Sequence, residues 1–474
     1  MEIVTRTAAV LPGLLTTVAE EVGRQCVLIQ RRREFTASSL VATFVLGFLR
    51  HSRPRWDQLA WVAREQGANV TPQAVEQRVT PALRDTLKQV WLRAIECVVT
   101  ADARTQVLLQ RFTHVLIGDS TTIPLGDALA AEHPGCGGSY GAGRAAAKWQ
   151  VIWDCLSGSL WKMSWEVGKQ SDSTSSILDE TPPAGSLSIF DLGDFSLARF
   201  RTWQDAGAHW ISRGISDLLV TVAGQTHDLH EWLAAQPPGP IDRWVEVGAT
   251  RLRCRLIALR APDEVVARRR QKAYEKAAKK GRQPTARHLA TCAWTVFLTS
   301  CPEELLTWQE VVVLYRVRWQ IELLFKLWKS HNHLEDHRSD DPVRQLVELY
   351  ARMTAVVIQH WLVLTTVWAD PRVSLTKATR LIRDELSRLI PANCATVVVA
   401  ALTNAALRFK TYRHDPLWFS ATMSWPLSRS ASTQREIVGM DTPISSAKRG
   451  VEYCPVRISR STSPSRCSIA NDRW

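Results

Sequence analysis

The segment 311–329, VVVLYRVRWQIELLFKLWK, constrains the fold more than any other stretch of the chain. Leu314, Val317, Ile321, Leu324 and Trp328 recur at offsets of 3, 7, 10 and 14, which makes one apolar stripe of a helix that faces a core. Tyr315, Arg318, Glu322 and Lys329 follow one residue later at offsets of 3, 7 and 14, a second stripe rotated by about 100°. The helix therefore carries a phenol, a guanidinium, a carboxylate and an ammonium along the core's edge. A carboxylate in such a place is costly to desolvate unless it meets a cation. Two more acids interrupt apolar elements in the same way: Asp119 follows HVLIG, and Asp191 ends SLSIF. Three such carboxylates suit a hard divalent cation that takes oxygen ligands.

Around that helix the hydrophobic period divides the chain. Residues 1–110 carry spaced apolar residues without alternation and read as helices at 14–30, 36–49, 56–66, 72–77 and 83–100, a helical N-terminal DNA-binding domain. Within it, LAWVAREQGANVTPQAVEQRV has the form of a helix-turn-helix: Gly67 closes one helix, Thr71 caps the next and Pro72 takes its first position. If the second helix entered a major groove, Gln73, Gln77 and Arg78 would be its readers; two packed helices that touch no DNA is the competing reading. From 113 the pattern turns to β-rich runs, THVLIGDSTTIPL, WQVIWDCLSG, SLWKMSWEVG and SLSIFDLG, then a helix at 196–207 and the strand-like DLLVTVAG. Three strands in series and then helix-linked strands predict an α/β fold with a mixed sheet. Residues 225–300 add RWVEVGA, RLRCRLIALR and WTVFLTS around a basic run and read as an inserted β subdomain within a core spanning 111–335. Helices return at 308–330, 343–368, 376–389 and 394–408, so 336–430 reads as a helical C-terminal domain. The stretch 431–474, rich in Ser, Arg and Pro, reads as a disordered tail.

Composition narrows the partners. With 45% hydrophobic and 22% charged residues the chain is neither disordered nor fibrous. Its 59 Lys plus Arg against 46 Asp plus Glu give a net charge of +13, which favours a polyanion. Between 268 and 288 there are nine Lys or Arg and a single acid, Glu275; Arg268, Arg269 and Arg270 open this run, a density suited to neutralising phosphates. Lys148 and Lys162, flanking the second and third strands, read as solvated, with an approach to DNA as the alternative. Trp294, one of 20 Trp, reads as a core residue of WTVFLTS, with stacking on an extruded base as the alternative. The 10 cysteines include no Cys-x-x-Cys pair, so neither a zinc site nor a disulfide framework is expected. GCGGSYGAG fits neither phosphate-loop pattern, so no nucleotide cofactor is expected. The N-terminus lacks a basic region and a cleavage site, and the apolar stretches 40–49 and 353–368 are too short or too interrupted by Gln359 and His360 to span a bilayer. A cytoplasmic protein without membrane contact is expected.

Tyr, two residues, Arg, three residues, Glu, six residues and Lys, complete here as YRVRWQIELLFKLWK, resembles the signature of the insertion-sequence-four family of DDE transposases. GDSTTIPL is similar to that family's Asp-Ser/Thr-Thr strand, and FDLGDFS to its Asp-x-Gly-Tyr/Phe motif, with Asp194 in place of the aromatic. The resemblance implies an RNase H-like catalytic core in which Asp119, Asp191 and Glu322 are catalytic and hold two Mg²⁺ or Mn²⁺ ions, with Asp194 the alternative to Asp191. It implies cut-and-paste transposition: cleavage at transposon ends, a hairpin intermediate, and joining of the 3′-OH to target DNA. It further implies that Tyr315, Arg318 and Lys329 bind phosphates near the cleaved end, that Trp319 stacks on that end, and that two copies pair in a synaptic complex on double-stranded DNA. A catalytically silent DNA-binding derivative of a transposase is the alternative; the three intact acids argue against it.

Overall fold

The structure is a computed structural model. It describes residues 10–366, except 32, 98, 100–106, 137–143, 280 and 337, together with 378–380 and 382–384. Most of the helix expected at 376–389, all of that at 394–408 and the tail at 431–474 lie outside the described residues.

The N-terminal helices are α1 (Ala19–Gln25), α2 (Ala37–Arg50), α3 (Trp56–Glu65), α4 (Pro72–Glu76) and α5 (Pro81–Glu96). Their starts follow from local chemistry. Thr36, Thr71 and Thr80 each accept a backbone N–H three residues on, and Pro72 and Pro81 occupy positions whose own N–H would be unsatisfied. Gly67, at φ +85°, turns the chain out of α3. Helix α4 has only 5 residues, so Gln77 caps it and Arg78 lies beyond its end. The Arg78 guanidinium sits 5.8 Å from the Phe35 ring centroid rather than extending a reading face. Of the three expected readers, Gln73 and Gln77 are exposed.

Next come β1 (Val115–Leu125), β2 (Ala145–Asp154), β3 (Leu160–Val167), β4 (Leu187–Ile189), α6 (Leu197–Asp205), β5 (His209–Arg213), β6 (Leu219–Val222), β7 (Gln225–Asp228), α7 (Leu229–Ala234), β8 (Ile241–Val247), β9 (Leu252–Arg260), α8 (Asp263–Ala278), α9 (Ala286–Thr291) and β10 (Trp294–Thr299). They form one 10-stranded sheet in the order β3-β2-β1-β4-β5-β10-β9-β8-β6-β7. β1, β2 and β3 are antiparallel in series, whereas β4 and β5 run parallel to β1. This mixed sheet with helices on it fits the RNase H-like expectation. The β-rich stretch at 225–300 lengthens that same sheet, because β10 returns to pair with β5 and β9 and β8 continue beyond it. Pairing in this way covers the β5 edge, whose N–H and C=O groups would otherwise be open.

Alternation along the strands gives the sheet two apolar faces. Ile117, Ile189, Ile211, Ile257 and Phe297 join one core with the N-terminal helices and with α10 (Trp308–Val317), α11 (Trp319–Asn332) and α12 (Pro342–Thr366). Leu116, Phe190, Trp210, Leu256 and Leu298 meet α6 and α7 on the other face. Trp91 of α5 lies 6.3 Å from both Trp149 of β2 and Trp165 of β3, and Trp149 stacks on Trp328 of α11 at 4.8 Å. Each such pair adds about 1 kcal/mol beyond burial. This aromatic cluster ties the N-terminal helices and α11 to the sheet, and it fixes the rotation of α11. Among the described residues no helix is long and apolar enough to cross a membrane.

Candidate active site

Strand register brings the first two acids together. β1 and β4 are parallel with Ile117 opposite Ile189, so Asp119, midway along β1, and Asp191, just past the end of β4, each stand two residues beyond the last matched pair. Gly118 makes the fit possible, because a Cβ there would come within 1.9 Å of the Phe190 ring. Asp191 opens a short turn, Leu192–Asp194, and accepts a hydrogen bond from the Tyr315 hydroxyl at 2.9 Å.

The third acid arrives on the signature helix. Its start is fixed by Thr307 and Glu310, which form a capping box, and Arg111 grips Glu310 at 2.9 and 3.0 Å. One continuous helix is expected at 308–330; the structure has α10 and α11 abutting, with Arg318 as the joint. There the Arg318 N–H bonds to Tyr315 O at 3.2 Å and Ile321 N to Arg318 O at 3.2 Å, the tighter i to i+3 spacing. The Arg318 side chain turns toward the strands. Its guanidinium donates to Glu322 Oε1 at 2.7 Å and Asp119 Oδ2 at 3.2 Å, and lies 3.9 Å from Asp191 Oδ2.

One cation thus stands among three carboxylates. Burial pushes the Asp119 carboxyl up to about 7, with Glu322 and Asp191 adding to the rise and Arg318 opposing it. Burial acts the same way on Asp191, but Arg318, the Leu192 N–H and the Tyr315 hydroxyl outweigh it and hold that carboxyl below its ordinary range. Burial, then Asp191, keep Tyr315 protonated well above the usual phenol range. Among the described residues no three His, Cys, Asp or Glu side chains form a ready-made metal cage; here the acids fan around the guanidinium. Their chemistry still fits a divalent cation. All the ligating atoms would be carboxylate oxygens, the hard donors that such an ion takes.

The other expected site residues are distributed unevenly. Lys329 does not touch the acids: its ammonium holds Thr122 O of β1 at 2.8 Å and Glu335 at 2.8 Å. Trp319, next to Arg318, is 40% exposed at the rim. Arg268, Arg269 and Arg270 stand on α8, beyond β5 from β1. Arg268 is exposed, Arg269 donates to Cys292 O, Trp294 O and Thr295 Oγ1 at 3.3, 3.1 and 2.9 Å, and Arg270 donates to Leu289 O at 3.2 Å. Trp294 packs, partly buried, against the core. Asp194, the alternative ligand, is 7% exposed, and burial with Asp172, Asp119 and Asp191 nearby raises its carboxyl to about 7.

Several residues around the acids escape a sequence reading. Arg213, at the end of β5, lowers Asp191 electrostatically and lies over the Phe297 ring at 5.8 Å. Lys148, expected to be solvated, is 8% exposed and donates to Asp172 at 2.9 Å. No periodicity marks Asp172, which lies in the turn-like GKQSDSTSS; only the pairing of Ser120 with Gln150 and Thr122 with Lys148 brings its partners together.

A family model described as a transposase DDE domain matches residues 110–358, a little over half of the 474. The chain is 26% identical over 372 residues to the transposase for insertion sequence element IS231B of Bacillus thuringiensis subsp. berliner, covering 73% of this chain and 77% of that one. It is 23% identical over 319 residues to the transposase for IS1151 of Clostridium perfringens, covering 62% and 66%. A shorter stretch of 104 residues is 34% identical to the putative transposase InsL for IS186A of Escherichia coli (strain K12), covering 22% and 28%. The mixed sheet and these matches agree, and the chain belongs to the DDE transposase family, in its insertion-sequence-four-like group.

Proposed function

We propose that the chain is a cut-and-paste transposase that binds the terminal inverted repeats of its element, cleaves the ends through a hairpin intermediate and joins the freed 3′-OH to target DNA. Asp119, Asp191 and Glu322 are its catalytic acids and the residues that would hold Mg²⁺ or Mn²⁺, two ions per site. The observation that carries this reading is the convergence of three acids, from two strands and a helix, on the Arg318 guanidinium. Divalent cations bound there would supply Lewis-acid stabilisation of the attacking and leaving oxygens at phosphorus.

The chain's own residues do the rest. Arg318 has a planar fork that suits phosphate oxygens as well as carboxylates, so it passes from the acids to a DNA phosphate when the end arrives. Tyr315 remains a hydrogen-bond donor and orients Asp191. Lys329 fixes α11 to β1 and places an ammonium near the incoming backbone. Trp319, exposed on the rim, offers a stacking face to the end base pair. The exposed cations of α8, Arg268 among them, grip DNA farther from the cut. Two ends brought together call for two copies, so a dimer on DNA follows from the reaction.

The test is strand cleavage on duplexes carrying the inverted repeats that flank the gene. With Mg²⁺, the wild type nicks the ends and leaves hairpins on a denaturing gel, and Glu322→Gln binds without cutting. Cutting by Glu322→Gln at the wild-type rate overturns the assignment. Binding without cleavage by the wild type supports a silent DNA-binding derivative instead.

A further inference from the structure

Behind the acids lies a second polar network centred on Asp172, in the turn Asp172–Thr174 that follows β3. Its Oδ1 accepts from Ser120 Oγ at 2.7 Å, Lys148 Nζ at 2.9 Å and Gln150 Nε2 at 3.1 Å. Lys148 and Gln150 are 8% and 3% exposed, so these donors are held away from water. Ser120 directly follows Asp119, and its backbone N–H donates to Asp119 Oδ1 at 2.8 Å. The other oxygen of Asp172 faces the second acid's turn, since a Cβ on Gly193 would stand 3.4 Å from Oδ2. Asp172 thus touches both the strand of Asp119 and the turn that begins with Asp191.

We infer that Asp172 is a positioning residue for the acid pair: by holding Ser120 and abutting Gly193, it keeps Asp119 and Asp191 aligned to share a divalent cation. This rests on the assignment of Asp119 and Asp191 as metal-holding acids. Asp172 is not itself a ligand. Three donors, one of them an ammonium, fill Oδ1 and neutralise the charge that would otherwise compete for the ion. The donors from Lys148 and Gln150 are buried while the Asp172 side chain is 35% exposed, and loss of such an outer partner costs about 10–100-fold in metal affinity or activity.

The test is Mn²⁺ binding to the full chain without DNA, read from the electron paramagnetic resonance signal of free Mn²⁺. Asp172→Ala and Ser120→Ala are each expected to weaken binding about tenfold or more. Ser120→Ala keeps the backbone N–H on Asp119 and removes only the link to Asp172, so it decides the matter if Asp172→Ala does not fold. Asp172→Asn, whose amide oxygen still accepts from Ser120 and Gln150, should recover most of the affinity, and melting temperatures and DNA affinity without metal should stay near wild type. Wild-type Mn²⁺ affinity in Ser120→Ala overturns the role, as does a loss that follows the melting temperature and is equal in Asp172→Asn and Asp172→Ala. A wild type that binds Mn²⁺ but does not cut the ends overturns the transposase reading alone. A wild type that cuts, with Mn²⁺ binding unmoved in the variants, overturns the positioning role alone.

Discussion

The acid cluster formed by β1, the turn after β4 and α11, and the basic helix α8 that follows β9, treat charge in opposite ways. In that cluster Asp119, Asp191 and Glu322 crowd one guanidinium, and burial drives the Asp119 and Asp194 carboxyls to about 7. Negative charge there is concentrated and under-compensated. On α8 the cations outnumber the acids, yet Arg269 and Arg270 give hydrogen bonds to carbonyls of the protein's own backbone, and Arg268 stays exposed. A charge density written in sequence therefore does not say which groups the protein's own backbone already engages. Neighbours decide that: carboxylates only accept and so gather donors or a cation, whereas arginines beside backbone carbonyls donate to them.

Removing Arg318 is the sharpest way to break this contrast. Arg318→Ala should lower end cleavage roughly 100–1,000-fold through lost stabilisation of the phosphate charge, while Mn²⁺ binding without DNA tightens because no guanidinium competes. Weaker Mn²⁺ binding would mean that Arg318 organises the acids instead of competing for them. Next in size is Trp328→Ala, which opens a cavity between α11 and β2 and should cost about 3–5 kcal/mol in denaturant unfolding. A cost under about 1 kcal/mol would show that the aromatic cluster does not seat α11.

Asp194 gives a pH-dependent effect. Burial, followed by Asp172, Asp119 and Asp191, raises its carboxyl from 3.8 to about 7 in the folded chain. The folded state therefore binds more protons than the unfolded state in that window, and stability falls as pH rises through it. Without divalent cations, Asp194→Asn should stabilise the chain by roughly 1–4 kcal/mol at pH 8 and by almost nothing at pH 4. A melting shift equal at both pH values would count against the buried charge as its cause. The smallest effects separate two neighbours on α8. Arg269→Ala should cost roughly 1–3 kcal/mol of stability with an unchanged salt slope of DNA binding, and Arg268→Ala, at an exposed position, should lower that slope by about 1. The reverse pattern would exchange their roles.

Much of this was legible before any coordinates. The period-3.6 stripe of 311–329 predicts a helix seated on a core, and Leu314, Val317, Ile321 and Trp328 are all buried. Threonine and proline at helix starts mark α4 and α5 because capping is local chemistry. Asp119 and Asp191 stand out because an acid after an apolar strand is rare and costly. Asp172, Arg213 and the true surroundings of Lys148 were not legible, since each depends on residues brought from distant strands. The break at Arg318 was hidden too, because its dihedrals stay helical and only the spacing of its hydrogen bonds changes.

The sequence by itself determined the order of elements and the apolar faces and marked Asp119, Asp191 and Glu322 as candidate acids, because these rest on side-chain period and on the energetic cost of burying charge. Only the tertiary structure decided which of those groups meet. The register of β1 on β4 sets Asp119 level with Asp191, and the Trp149–Trp328 stack turns Arg318 and Glu322 toward them. Register and rotation are products of long-range packing, and no local stretch of sequence contains both partners.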